Sequence, residues 1–138
     1  MAFGFLSFRS RRNRREAVLS RFVEKLNALD YDGATAFLHS DLQVLNPDGT
    51  VTNGIEEFVQ HDRAFRDVSA RPQIVVSEIL HHDNDLLVRG ELLSSDPEMG
   101  GTTMWRVTFD KDRIISVETT RAENATMALR PRTMGGSI

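Results

Sequence analysis

The sequence predicts an α+β domain in which three helices precede, and pack on one face of, an antiparallel sheet of at least four strands. Two observations carry this. Apolar residues recur at helical spacing only before residue 69, and after Pro72 the chain turns to β-branched and aromatic runs separated by short turns. With 138 residues, the chain is long enough to bury one core without disulfides or metals.

The first helix is read from residues 15 to 30. Val18, Leu19, Phe22, Val23, Leu26 and Leu29 follow the i, i+3, i+4 rule and share a face opposite Ser20, Glu24 and Asn27. Asp32 is expected to cap a shorter second helix through Ala34, Ala36, Phe37 and Leu38, ended by Ser40 and Asp41. A short strand, Leu42 to Asn46, then runs into Pro47-Asp48-Gly49, where proline pre-sets the turn and glycine is free to take positive φ. Asn53 precedes Glu56 by three, the spacing of a capping box, so a third helix is expected from Gly54 to Val68. Finally, "QIVVSEILHH" and "LLVRGELLSS" flank Asp83-Asn84, and "TTMWRVTF" and "RIISVETT" flank Asp110-Lys111-Asp112, which reads as two hairpins.

Composition narrows the function. The chain has no cysteine, which excludes disulfides, thiolate zinc sites and a cysteine nucleophile together and suits a reducing, cytoplasmic compartment. Its four histidines are scattered without HExxH spacing, so no metal and no cofactor is expected. Net charge is −3, yet five arginines precede the first acid, Glu16, so residues 16 to 138 carry −8 (−3 less +5). An acidic body has little use for polyphosphate, and nucleic acid is not an expected partner.

Residues 1–15 form a basic aromatic arm in which Phe3, Phe5, Leu6 and Phe8 join the arginine run. The pattern suits weak contact with an anionic membrane surface, or an Arg- and Ser-rich transit peptide, but is too short and too charged to span a bilayer. The favoured reading is a frayed terminus whose phenylalanines dock on the domain or a partner. Residues 16–121 form the domain, and the tail 122–138, whose last residues show no periodicity, is expected to trail or swap onto a neighbour.

Three stretches carry a family resemblance: "RFVEKLNALDYDGATAFLHSDLQVLNPDG", the glycine-led helix start "NGIEEF", and the closing hairpin "FDKDRI". In order and spacing they resemble the nuclear transport factor 2-like cone, which includes ketosteroid isomerases and SnoaL-like polyketide cyclases, over roughly residues 16 to 121. The resemblance implies a cystatin-like curved sheet and a homodimer formed through its outer surface. In the isomerase branch it also implies a tyrosine, an aspartate base and a second acid at the positions of Phe22, Asn46 and Trp105. An amide cannot act as a carboxylate base, a phenyl ring has no donor, and an indole is a bulkier, differently placed one. The resemblance therefore argues for the cone and against that isomerisation. Asn46 either orients a ligand or satisfies its own turn.

The third helix offers an independent candidate. At about 100° per residue, Ile55, Phe58, Val59 and Phe65 form a sector with Asp62 near its centre, where an unpartnered acid would be tuned for proton transfer. Arg66, one turn on, could instead hold Asp62 ionised as an i, i+4 pair. His61 lies at the sector's edge and does not face the same way as Asp62. His81 and His82 should point to opposite sheet faces, as solvated turn residues that share no metal. Glu78, Arg89, Glu91, Arg106 and Glu118 form either a solvated or subunit-facing ladder or a polar patch inside the cone. Tyr31 and Asp41 are accounted for by turn and capping chemistry, and no Ser-His-Asp order or phosphate loop appears.

The expectation is a domain that binds a small apolar or aromatic ligand in its cavity, with Phe22, Phe58, Phe65 and Trp105 giving contact area and Asn46 and Asp62 direction. The alternatives are a cyclase-, dehydratase- or hydrolase-type enzyme using Asp62, and a dimeric interaction module tethered through residues 1–15.

Overall fold

The computed structural model describes residues 2–68, 71–95 and 100–121; the tail expected to trail or swap lies outside them. Three helices, α1 (Ala2–Asn27), α2 (Tyr31–Thr35) and α3 (Ile55–Val68), combine with six strands: β1 (Leu38–Leu45), β2 (Val51–Asn53), β3 (Gln73–His82), β4 (Asp85–Leu93), β5 (Gly101–Asp110) and β6 (Arg113–Arg121). The sheet order is β2-β1-β6-β5-β4-β3.

Helix α1 runs without a break through the boundary expected at residue 15, and the expected docking of Phe3, Phe5 and Phe8 concerns side chains outside those described. No proline interrupts the helix. It closes as a Schellman turn, Asp30 N donating to Lys25 O at 2.9 Å and Leu29 N to Leu26 O at 3.0 Å. Leu29 takes the left-handed conformation (φ 60°) that glycine usually supplies, at a cost of about 1 kcal/mol.

The second helix is shorter than expected and capped two residues earlier. Asp30, not Asp32, accepts from Gly33 N at 2.9 Å, and the helix stops at Thr35. Tertiary pairing overrides local preference here: Ile114 N donates to Phe37 O at 2.9 Å, and Leu38, opposite Ile114, opens β1. The expected antiparallel sheet of at least four strands is present in β3, β4, β5 and β6, and the β1–β6 pairing adds a parallel junction to it. The third helix starts at Ile55, and its reciprocal cap is Glu57 rather than Glu56, accepting from Asn53 N at 3.3 Å. The Asn53 side chain is occupied across the strands by Gln43, at 3.1 Å.

The core forms where the α1 stripe meets the inner sheet face. Leu19, Phe22 and Leu26 pack among Leu42, Val44, Leu86, Val88, Val107, Phe109 and Ile114. Two α1 side chains dock the strands. Asn27 mimics a strand neighbour for Ile74, donating to its carbonyl at 2.9 Å and accepting from its amide at 2.8 Å. Arg15 lies 5.6 Å over the Phe109 ring and reaches the β3–β4 turn at Asp83 O and Asn84 Oδ1.

Register decides the remaining strand residues. His82 points to solvent, but His81 is no solvated turn residue: its Nε2 pairs with the Glu16 carboxylate on α1. Glu78 stands opposite Arg89 and Arg106 opposite Glu118, all on the outer face, so these four form two cross-strand pairs and not a polar patch in the interior, while Glu91 stands opposite Val75 and Thr102. Val75, Leu80, Leu93 and Met104 are also exposed. Among the described residues no helix is long and apolar enough to cross a membrane.

Candidate functional site

Helices laid across a curved sheet leave a hollow. A cavity of about 320 Å³ lies between α1, α3 and the inner sheet face, and Phe22, Asn46, Phe58, Asp62, Phe65 and Trp105 all line it. Each arrives by a simple periodicity. Phe22 belongs to the α1 stripe, and its ring meets that of Phe58 at 6.0 Å between centroids, tilted by 34°. Trp105 alternates with Thr103 and Val107 along β5, so all three face inward. Gly90 makes room for the indole: a Cβ there would stand 2.7 Å from the Trp105 ring and 2.6 Å from Val75 O.

Asp62 does not stand free in this cavity. Its Oδ2 accepts from Arg66 Nε at 2.8 Å and from the Tyr31 hydroxyl at 2.6 Å. Arg66, 2% exposed, also donates to Pro72 O at 2.8 Å, so helix α3, the α2 start and the strand that follows Pro72 are tied at one carboxylate. Burial, and after it the hydrogen bond to Asp62, pushes the Tyr31 phenol well above its ordinary pKa. The i, i+4 pair read from sequence is present, with Tyr31 as a third member.

The hairpin β1–β2 builds the other polar wall. Inward alternation along β1 places Leu42, Val44 and Asn46 on one face, and Val44 pairs with Thr52. The turn closes with Gly49 N donating to Asn46 O at 2.9 Å and Asn46 N to Thr50 O at 2.8 Å, glycine taking φ 89°. In the turn, the Thr50 hydroxyl donates to Asp48 Oδ1 at 2.6 Å, which with the Thr50 amide holds the Asp48 carboxyl below its usual pKa. The Asn46 amide donates both its hydrogens, to Thr50 Oγ1 at 3.1 Å and Thr52 Oγ1 at 3.0 Å. Thr52 Oγ1 in turn lies 3.0 Å from His61 Nδ1. Asn46 therefore satisfies its own turn and lines the cavity at once.

Sequence reasoning missed Thr52, Thr103 and the role of Tyr31. Thr52 sits in a three-residue strand with no periodic signal. Thr103 is 1% exposed with no partner for its hydroxyl, and it lines the cavity. Tyr31 reaches Asp62 across 31 residues, a distance no local pattern encodes. His61 and Pro47, both exposed, mark the cavity's mouth.

Helices across one face of a six-stranded open sheet, with the hollow between them, define a cone-fold protein of the nuclear transport factor 2-like class. The SnoaL-like domain family matches residues 19–117, and the chain belongs to that family. No curated relative matches it by sequence. Among solved structures, it is similar to a candidate polyketide cyclase of Sinorhizobium meliloti (16% identity, TM-score 0.69, covering 75% of this chain and 94% of that one). A nuclear transport factor 2-like protein of unknown function from Cytophaga hutchinsonii aligns at 14% identity and TM-score 0.66, covering 87% and 93%. TerC, co-crystallised with polyporic acid, aligns at 12% identity and TM-score 0.69, covering 84% and 97%.

Proposed function

We propose that this SnoaL-like domain encloses a small aromatic molecule in the cavity between α1, α3 and the sheet. The carrying observation is the lining: Phe22, Phe58, Phe65 and Trp105 converge on one hollow of about 320 Å³, among a few placed polar groups. That volume is about twice the roughly 150 Å³ that suffices for one benzene ring, which suits a two-ring ligand. Thr103 supports the reading independently, since a buried hydroxyl without a partner costs about 1–3 kcal/mol unless a ligand or water satisfies it. A like-folded protein, TerC, has been co-crystallised with polyporic acid.

The enzyme reading through Asp62 has weaker support. Its Oδ2 is already shared by Arg66 and Tyr31, so that oxygen is occupied where a general base needs a free one. A carboxylate held this way is better placed to tie α3 to the α2 start than to take a ligand's proton.

Trp105 is the sole tryptophan, which makes its fluorescence a reporter of this cavity. Titration with an alkylnaphthalene is expected to quench or shift the emission saturably, and Val88→Trp, which fills the hollow beside Trp105, should abolish ligand-dependent change in chemical shifts of the cavity methyl groups. If wild-type protein shows neither a saturable emission change nor methyl shifts, the ligand-holding reading is wrong.

A further inference from the structure

The hairpin hydroxyl chain has a direction, and the direction sets the chemistry at the cavity's mouth. Asp48 is an ionised acceptor, so the one proton of the Thr50 hydroxyl points to it, at 2.6 Å. Thr50 Oγ1 can then only accept from Asn46, which must present its NH2 and not its carbonyl oxygen. The second N–H of that amide goes to Thr52 Oγ1. Thr52 is 2% exposed, and a buried hydroxyl proton left without an acceptor is costly. The acceptor within reach is His61 Nδ1, at 3.0 Å. Nδ1 therefore carries no proton, and the imidazole holds its hydrogen on Nε2.

We propose that the turn Asp48–Thr50–Asn46–Thr52 locks His61 as the Nε2–H tautomer, making it a hydrogen-bond donor at the cavity's mouth that selects aromatic ligands bearing an oxygen acceptor, a ketone or a quinone carbonyl. The ligand half of this inference rests on the proposed function; the tautomer half stands on the hairpin alone. His61 is here a binding residue that α3 brings to the mouth and the hairpin orients. Asn46 is a positioning residue that acts through Thr52. Trp105, Phe58 and Phe65 hold the rings whatever their substituents, the Thr103 hydroxyl lies on the β5 wall, and the carbonyl preference at the mouth belongs to His61.

Two measurements on the full chain test it. Long-range nitrogen–proton correlation spectra at about pH 8, above the ordinary histidine range, should show His61 Nδ1 as the unprotonated, pyridine-like nitrogen, and Thr52→Val should move that resonance by removing its hydrogen bond. A protonated Nδ1 in the wild type overturns the chain of donors. Acetylnaphthalene and ethylnaphthalene, which differ only in the carbonyl, are then titrated against Trp105 fluorescence. The ratio of their affinities should favour the ketone by about fivefold more in the wild type than in His61→Phe, the factor for one net hydrogen bond. An unchanged ratio overturns the selection while leaving the aromatic cavity intact. If neither probe binds, the proposed function fails with the selection, while the tautomer result still decides the relay.

Discussion

The two polar clusters of the cavity wall differ in how they end. The Asp62–Arg66–Tyr31 cluster closes on itself: one carboxylate oxygen takes two donors, and the guanidinium also reaches Pro72 O. The hairpin chain is open, beginning at an exposed acid, Asp48, and finishing at an exposed imidazole, His61. A closed, desolvated cluster contributes to the fold and has little left to offer a ligand. An open chain is worth little to the fold, because water competes for its outer members, yet with the proposed tautomer it delivers an oriented donor to the mouth. The acid on the apolar stripe, the more conspicuous residue in the sequence, is tied into the fold, and the modest turn polar residues are the ones that the proposed function assigns to recognition.

Arg66→Met tests this contrast hardest. It strands the Asp62 carboxylate and the Pro72 carbonyl, and urea unfolding should show a loss of about 3 kcal/mol, the lower end for breaking a buried pair, since Asp62 keeps 15% side-chain exposure. A loss below about 1 kcal/mol would mean the cluster is not closed.

Tyr31→Phe sharpens the comparison, with an expected loss of about 2 kcal/mol at neutral pH for a hydrogen bond to a charged acceptor. The phenol pKa is raised in the folded state, by burial first and by Asp62 second. Its contribution is therefore complete below the unfolded value of about 10 and drains away as pH climbs through and beyond it. The stability difference between wild type and Tyr31→Phe should shrink above that pH; a constant difference would contradict the assignment.

The smallest effect is expected at Asn46→Ala, about 1 kcal/mol or less, because the hairpin chain is partly solvated. If denaturant melts place this cost level with that of Arg66→Met, the two clusters do not differ in kind.

Much of the architecture was legible beforehand because it rests on local periodicity. The α1 stripe, the Pro47-Asp48-Gly49 turn and both later hairpins follow from side-chain spacing and turn chemistry. Errors arose where two remote segments compete for the same backbone. Phe37 and Leu38 read as helix until β6 claims them, and the three-residue β2 has no stable existence apart from β1. His81 looked like a turn residue because Glu16, 65 positions away, leaves no local trace.

The cavity divides in the same way. Phe22, Asn46, Phe58, Asp62, Phe65 and Trp105 could be nominated from helix face, strand end and family resemblance, because each is set by a short-range period. Their convergence, the pairing of Tyr31 with Asp62, the unpartnered hydroxyl of Thr103 and the contact of Thr52 with His61 emerge with strand register and helix docking. Periodicity tells which side of an element a residue occupies. Which groups then meet depends on closing loops between distant segments, and that is settled by the free energy of the packed whole rather than by any single stretch of chain.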